Sequence, residues 1–484
     1  MATTSSYLAR LSSLKQSITP EEGKSTIGGI KLTLLDVDGE ILDAIGDDAT
    51  EWHREACEIK TGYPGLDYDD YITIFKGWVT GLKMTDDGTG FELTVTDVAK
   101  WLQRDVFRGA ESSSVTIQGN PMNILMAILT STGAGTNGDY DWYDATDGLG
   151  IDDDFVNVSN IESIRDNWLP GTSHYMRFTI TERISALDFI EKEICKPLNM
   201  YPIIRSDGSF DVKLFQPPWN DTGLETLDED SIIGLPKFDA NFDALINEVE
   251  WHYNYSAGSY ANQRFYSSAS SLAARGPGKK PLVIKTQGLQ SADVGTEVFS
   301  RRRHRVFDRY LTPPPKITCE TFFSKWVVEP GDIVKFTHSQ VPDIEAGTRG
   351  LTDELMEVIS REVDLEKGKV KFELLWTGFG LGNYLRISPS GTVVTGSSAT
   401  SFTMSSADAA KFKVGWEISI TTAGGDSRGD VNITAINGTA ITIEDLGETP
   451  QTGDKVVFAN AGSLVSAQTS ADYGSIGDGA VIFG

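Results

Sequence analysis

Glycine recurs 48 times in these 484 residues, and many copies fall at the ends of short runs in which apolar and polar residues alternate. Alternation with period two sends successive side chains to opposite faces of a strand. Glycine supplies the positive φ that tight turns between strands require. A chain patterned this way folds mainly into antiparallel sheets. The 71–84 run, YITIFKGWVTGLKM, reads as a strand bent at Gly77 and Gly81, because interior glycines mark bulges and barrel corners. In the following FELTVT, Phe91, Leu93 and Val95 face one way and Glu92, Thr94 and Thr96 the other. Residues 30–45 read as a hairpin around Asp38-Gly39. Residues 1–108 are therefore expected to form a polar arm and, from about 27, a small antiparallel barrel with a short closing helix.

The period changes after that. Asn120-Pro121 opens a helix, with the asparagine as cap and the proline where its missing N–H costs nothing. Met122, Ile124, Leu125, Ile128 and Leu129 form its apolar stripe. A loop-rich acidic stretch follows, then a helix from about Glu182 to Lys196 that Pro197 ends, then a hairpin around Asp207-Gly208. Residues 109–235 thus read as an α/β middle domain. Strands return over 236–382, where Val249, Trp251 and Tyr253 alternate with Glu248, Glu250 and His252. Residues 256–281 are rich in Ser, Ala and Gly and read as a long mobile loop, with Tyr260, Phe265 and Tyr266 as its anchors in an assembly. A helix over Ala292–Tyr310, a turn at Glu329–Asp332 and a hairpin at Lys367-Gly368 complete a second barrel. Residues 383–461, short Ser- and Thr-rich strands, read as a small β domain, and 462–484 as an extended tail. The expected class is mainly β with an α/β insertion.

Charge narrows the function. With 42 basic and 69 acidic residues the net charge is −27. A surface this acidic repels phosphate, so general nucleic-acid binding and anionic membranes are disfavoured. No apolar run reaches the length of about 18 residues that a span requires, and the first residues lack the apolar core of a signal peptide. Cys57, Cys195 and Cys319 are scattered, which supports neither a zinc site nor a disulfide framework. The histidines are His53, His174, His252, His304 and His338, none in a paired ligand spacing. Gly23-Lys24-Ser25-Thr26 resembles the end of a phosphate loop, but Ile18 stands where its first glycine belongs. Asp36, Asp38 and Glu40 lack the rest of a calcium loop. Carboxylate groups at 67–70, 86–87, 152–154 and 228–230 are the only candidates for glycosidase chemistry, and clusters are commonplace in so acidic a chain. No catalytic, cofactor or metal residue is assigned. The one dense basic run, RRRHRVFDR from Arg301, reads as encircling its helix. Arg301, Arg302, Arg303 and Arg305 are candidates for contacts with acidic residues of a neighbouring chain, against the simpler reading of a solvated helix.

Taken in order, several segments resemble the tail-hub (tail-tip or baseplate-hub) proteins of tailed bacteriophages. They are IFKGWVTGLKMTDDGTGFELTVTDVAKWLQRDVF, GNPMNILMAILTSTGAG, GLGIDDDFVNVSNIESIR, ISALDFIEKEICKPLNMYPIIRSDGSFDVKLF, INEVEWHYNY, RRRHRVFDRYLTPPPKIT and VVEPGDIVKFTH. The resemblance covers about 27–380 and rests on the order of the set. It implies two tube-like antiparallel β-barrels per chain, separated by α/β material, and a homotrimer whose six barrels adapt a sixfold tail tube to a threefold tip. Implied partners are tail-tube or distal tail proteins and tip or fibre proteins, with viral DNA passing through unbound. The implied location is the virion tail, the chain being made in the host bacterial cytoplasm. No enzymatic activity and no cofactor are implied, and three scattered cysteines do not supply the four that hold an iron–sulfur cluster in some hubs. Two other readings stay open: a wall hydrolase acting through carboxylates, and a carbohydrate-binding adhesion protein using Trp376 or Trp416 as platforms.

Overall fold

The computed structural model describes residues 7–458 except 27, 37, 46–51, 54, 63–64, 111, 133–146, 170–174, 215–222, 257, 291–297, 300–301, 304, 308, 345, 377–389, 410–411, 413, 415–416 and 425. The fold is mainly β. It divides into two compact units, Met1–Gln216 with Leu224–Gly378, and Pro217–Gly223 with Phe379–Gly484.

In the larger unit, the first sheet runs Leu8–Leu11, Gly29–Leu35, Gly90–Thr96, Ile72–Met84, Ala56–Thr61, all antiparallel. Among the described residues it stays open at both edges rather than closing on itself. The bend expected at the interior glycines is present. Pairing with Gly90–Thr96 shifts register between Val79 and Gly81. A Cβ on Gly77 would lie 2.4 Å from the Thr96 carbonyl oxygen, so only glycine permits that approach. The hairpin expected around Asp38-Gly39 does not form. Residues Glu40–Ile45 are a helix, because the Asp36 carboxylate accepts the Ile41 and Leu42 amides and caps it.

The second sheet follows the path Thr226–Leu227, Ile333–Asp343, Thr348–Asp364, Lys369–Trp376, Lys316–Phe322, Ile232–Asp239. Leu14–Thr19, from the N-terminal arm, pairs with Thr348–Asp364, Leu14 opposite Val363 and Ser17 opposite Ser360. The arm therefore supplies strands to both sheets. One apolar core unites them: Ile30, Leu32, Phe75, Val79, Leu93 and Val95 from the first meet Leu14, Ile317, Phe336, Met356, Phe372 and Trp376 from the second.

A second core lies in the α/β part. The Pro121–Thr130 helix starts as its sequence prescribes, with the Asn120 side chain accepting the Met122 amide at 2.9 Å. A further helix, Val158–Asn167, capped by Asn157, lies in the stretch expected to be loop. The helix before the Asp207-Gly208 hairpin runs Ala186–Leu198, with a π-helical stretch over Ile190–Cys195. Pro197 sits inside its last turn, and Asn199 at φ 60° ends it. Residues 256–281 are not a mobile loop. Ser259–Ser267 pairs with Glu248–Ser256, Tyr255 opposite Tyr260 and Val249 opposite Tyr266, and Ala269–Arg275 is a helix. The ladder holds this strand although it carries few large apolar side chains. Leu282–Lys285 completes this third sheet. The described residues between Val298 and Tyr310 are helical, and Val298, Phe299, Val306 and Tyr310 enter the core beside Trp251.

The smaller unit is a closed barrel of six strands, Ser390–Ser398, Ser401–Met404, Ala440–Ile443, Ser427–Asn437, Glu417–Thr421 and Lys455–Phe458. Val393, Phe402, Ile418, Ile420, Ile433, Ile441 and Val456 fill it. The tail expected over 462–484 lies outside the described residues.

Gly77→Ala should lower stability by about 1–3 kcal/mol, the usual cost of forcing a methyl into a packed site. Gly81→Ala should cost less, since its Cβ would meet only the Thr94 side chain, at 3.4 Å. Urea midpoints of the two variants check this.

Candidate functional site

A set of ionisable side chains is buried in the larger unit, and the N-terminal arm runs through it. Gln16 donates to the Ile204 carbonyl at 3.0 Å and accepts from Arg361, which is 1% exposed and also donates to the Trp326 carbonyl at 2.7 Å. At the next turn the Glu21 carbonyl accepts from Arg302, and the Glu21 carboxylate accepts from the Tyr310 hydroxyl at 2.9 Å. Glu22 pairs with Lys196 at 2.6 Å. Gly23, at φ 65°, lets the backbone pass the helix end, where a Cβ would lie 2.6 Å from the Lys196 nitrogen. Deeper still, Arg309 pairs with Glu357, which also accepts from the Tyr201 hydroxyl. Burial pushes the Glu357 carboxyl up and the Arg302 guanidinium down to about 10.

This corrects the reading of the arginine run. Arg302, Arg305 and Arg309 are buried, at spacings of three and four that place them on one helix face. They neither encircle the helix nor form a solvated surface. Arg302 also donates to Asn199 at 2.7 Å. Arg303 is half-buried, 4.8 Å over the Tyr266 ring, and Arg264 lies 5.4 Å over the same ring. Arg301 lies outside the described residues. Of the three aromatic candidates, Tyr260 and Tyr266 are half-buried, and Phe265 is 55% exposed. Trp376 is 5% exposed in the core, so it is no sugar platform, and Trp416 lies outside the described residues.

Three further carboxylates are buried that sequence reasoning did not single out. Asp97 accepts the Gly28 amide at 2.7 Å and the Ala99 amide at 2.9 Å. Glu193 accepts the Gln287 amide at 2.8 Å, and Glu191 accepts the Ser25 amide at 3.4 Å. Burial raises each to about 7. All three brace backbone between segments distant in sequence, which is a structural use. The exposed clusters at Asp67–Asp70 and Asp152–Asp154 sit on short turns at the surface. Among the described residues no group of three or more His, Cys, Asp or Glu is placed to hold a metal, and no helix is long and apolar enough to cross a membrane. An open cleft of about 860 Å³ lies between the Pro121–Thr130 helix and the Val115–Gly119 and Met176–Ile180 strands. Its polar lining includes Gln118, Asn123, Arg177 and Gln290, with no carboxylate and no nucleophile beyond Thr116 and Tyr175. None of the candidate residues from the sequence lines it.

No family model matches this sequence, and no curated protein does. Among solved structures the chain is similar to the 43 kDa tail protein of prophage MuSo2 from Shewanella oneidensis, at 9% identity and TM-score 0.40, over 76% of this chain and 95% of that one. It is also similar to the tail protein from Neisseria meningitidis MC58, at 12% identity and TM-score 0.36, over 76% and 93%. A third is the prophage tail protein gp18 from Listeria monocytogenes EGD-e, at 10% identity and TM-score 0.35, over 77% and 90%.

Two predictions follow from the buried charges. Glu357→Leu, which removes the carboxylate facing Arg309, should cost about 3–5 kcal/mol, and adding Arg309→Met should recover most of it. Chemical denaturation of the single and double variants measures both. Because Asp97, Glu191 and Glu193 hold their protons more tightly folded than unfolded, their contribution is fully present below about pH 4 and is lost as pH rises towards 7. Glu193→Gln should flatten that decline in urea midpoints between pH 4.5 and 7.

Proposed function

We propose that this chain is a structural hub of a bacteriophage tail tip or baseplate, without enzymatic activity. Three copies form a ring that closes the tail tube, adapts sixfold to threefold symmetry, and carries tip or fibre proteins. Viral DNA passes through without specific binding. The ordered set of segments over 27–380 supports this reading, and so does the architecture they adopt. The observation that carries it is the N-terminal arm. Leu8–Leu11 is a strand of the first sheet and Leu14–Thr19 a strand of the second, so one short segment ties two mainly antiparallel sheets over one core. A subunit that fills two of six positions in a ring needs its two wall elements held in fixed relation, and this stitch does so. The excess of acidic residues suits a conduit, since carboxylates repel the DNA phosphates. The closed C-terminal barrel, outside the resemblance, is assigned to contact with tip or fibre proteins.

Mass measurement of the full chain in solution tests the ring: a trimer is expected at high protein concentration, and a chain monomeric throughout would contradict it. Antibody labelling of virions should place the protein at the distal end of the tail; label along the shaft or on the head would contradict the assignment.

A further inference from the structure

The chain is acidic throughout, yet from Trp251 to Ala292 it contains no Asp or Glu. The same stretch carries Arg264, Arg275, Lys279, Lys280 and Lys285. The fold arranges this run around one sheet: the Ser259–Ser267 and Leu282–Lys285 strands flank Glu248–Ser256, where Glu250 pairs with His252 at 2.8 Å, and the Ala269–Arg275 helix lies between the two flanking strands in sequence. Arg275, Lys279, Lys280 and Lys285 are exposed. Lys279 reaches only the exposed Asp243, at 3.8 Å, and Arg275, Lys280 and Lys285 make no ion pair among the described residues. Phe265 stands 55% exposed on the edge strand. Among the described residues that strand pairs with Glu248–Ser256 alone, which leaves it an edge strand of its sheet.

An opposite surface lies at an edge of the first sheet. Among the described residues the Ala56–Thr61 strand pairs only with Ile72–Met84, and the turn between them carries Asp67, Asp69 and Asp70, all exposed. Glu55 and Glu58 are exposed on the same strand and its approach, with Lys60 3.6 Å from Glu58 and Lys76 opposite Glu58 in the ladder. Leu66 and Ile72 are 46% and 54% exposed beside these carboxylates. No ion pair among the described residues joins this hairpin to the basic surface.

We infer that these two faces bind each other between copies: the basic surface of residues 259–285 docks on the acidic hairpin of residues 55–72 of a second copy of this chain. The inference rests on the ring proposed above and names its contact. Opposite faces make the junction heterologous, and such junctions close into rings where the rotation allows. Complementary charge selects the register and steers approach against the general repulsion of −27 per chain, which salt screens beyond about 8 Å. The exposed Phe265, Leu66 and Ile72 supply apolar contact at the junction.

The test uses the full chain and sedimentation velocity at low and high salt, with circular dichroism and urea midpoints as the check on folding. R275E/K279E/K280E/K285E and, separately, D67K/D69K/D70K change only exposed side chains. Each should fold as wild type and weaken self-association at least tenfold, and wild-type association should fall with salt. A chain carrying both sets has its charges exchanged and should recover association. If the wild type forms rings and either reversed variant forms them equally well, or the exchanged chain stays dissociated, this docking is wrong and the ring stands. If the wild type never associates, the ring itself is wrong.

Discussion

The larger unit depends on the capture of one polar segment, residues 14–26, between groups that are far away in the chain. Its backbone completes a ladder with Ser360–Val363, and its side chains meet Arg361, Tyr310 and Lys196. Buried backbone donors and acceptors must be paired, and an inserted strand satisfies them along its length. The same segment closes over the buried Arg302, whose guanidinium donates to the Glu21 carbonyl. Removing the arm would open a slot in the second sheet and expose an arginine set in the interior, so the two parts of this unit stand or fall together.

Buried ion pairs are a costly way to hold a protein together. Desolvating Arg309 and Glu357 offsets much of their attraction, and an apolar pair of the same volume often gives equal or greater stability. What such a pair supplies is intolerance of misplacement, because a shifted register leaves a charge without its partner in the interior. Here it sits where a helix, the Met200–Ile204 strand and the longest strand of the second sheet converge. That location favours a single geometry between layers, which a subunit with two wall elements requires.

The uneven distribution of charge separates two tasks within one acidic chain. Carboxylates buried at Asp97, Glu191 and Glu193 brace backbone amides and are costly to ionise, whereas those at Asp67–Asp70 are solvated and free to meet cations. The acid-free stretch from Trp251 to Ala292 is the counterpart on the basic side. Net charge describes none of this; only the placement of each group in the fold does.

Local chemistry fixed much that the sequence shows directly. Period-two alternation specified the Gly90–Thr96 strand, Asn120-Pro121 specified a helix start, and Asp207-Gly208 and Lys367-Gly368 specified hairpins, since each depends on residues a few positions apart. Where a local signal had a competitor, nearby or tertiary, the sequence misled. Asp38-Gly39 suits a turn, but the Asp36 carboxylate caps a helix there. The 259–267 run is mostly polar around Tyr260, Phe265 and Tyr266, but pairing with Glu248–Ser256 makes it a strand. The arginine run looked like a surface because buried guanidinium groups are rare. The spacing of 302, 305 and 309 was visible in the sequence, but the carbonyls and carboxylates that receive those arginines come from Glu21, Asn199 and Glu357. Partners brought together across 48, 103 and 281 residues leave no local pattern. The tertiary structure alone therefore decided which charges are interior and which remain for another chain.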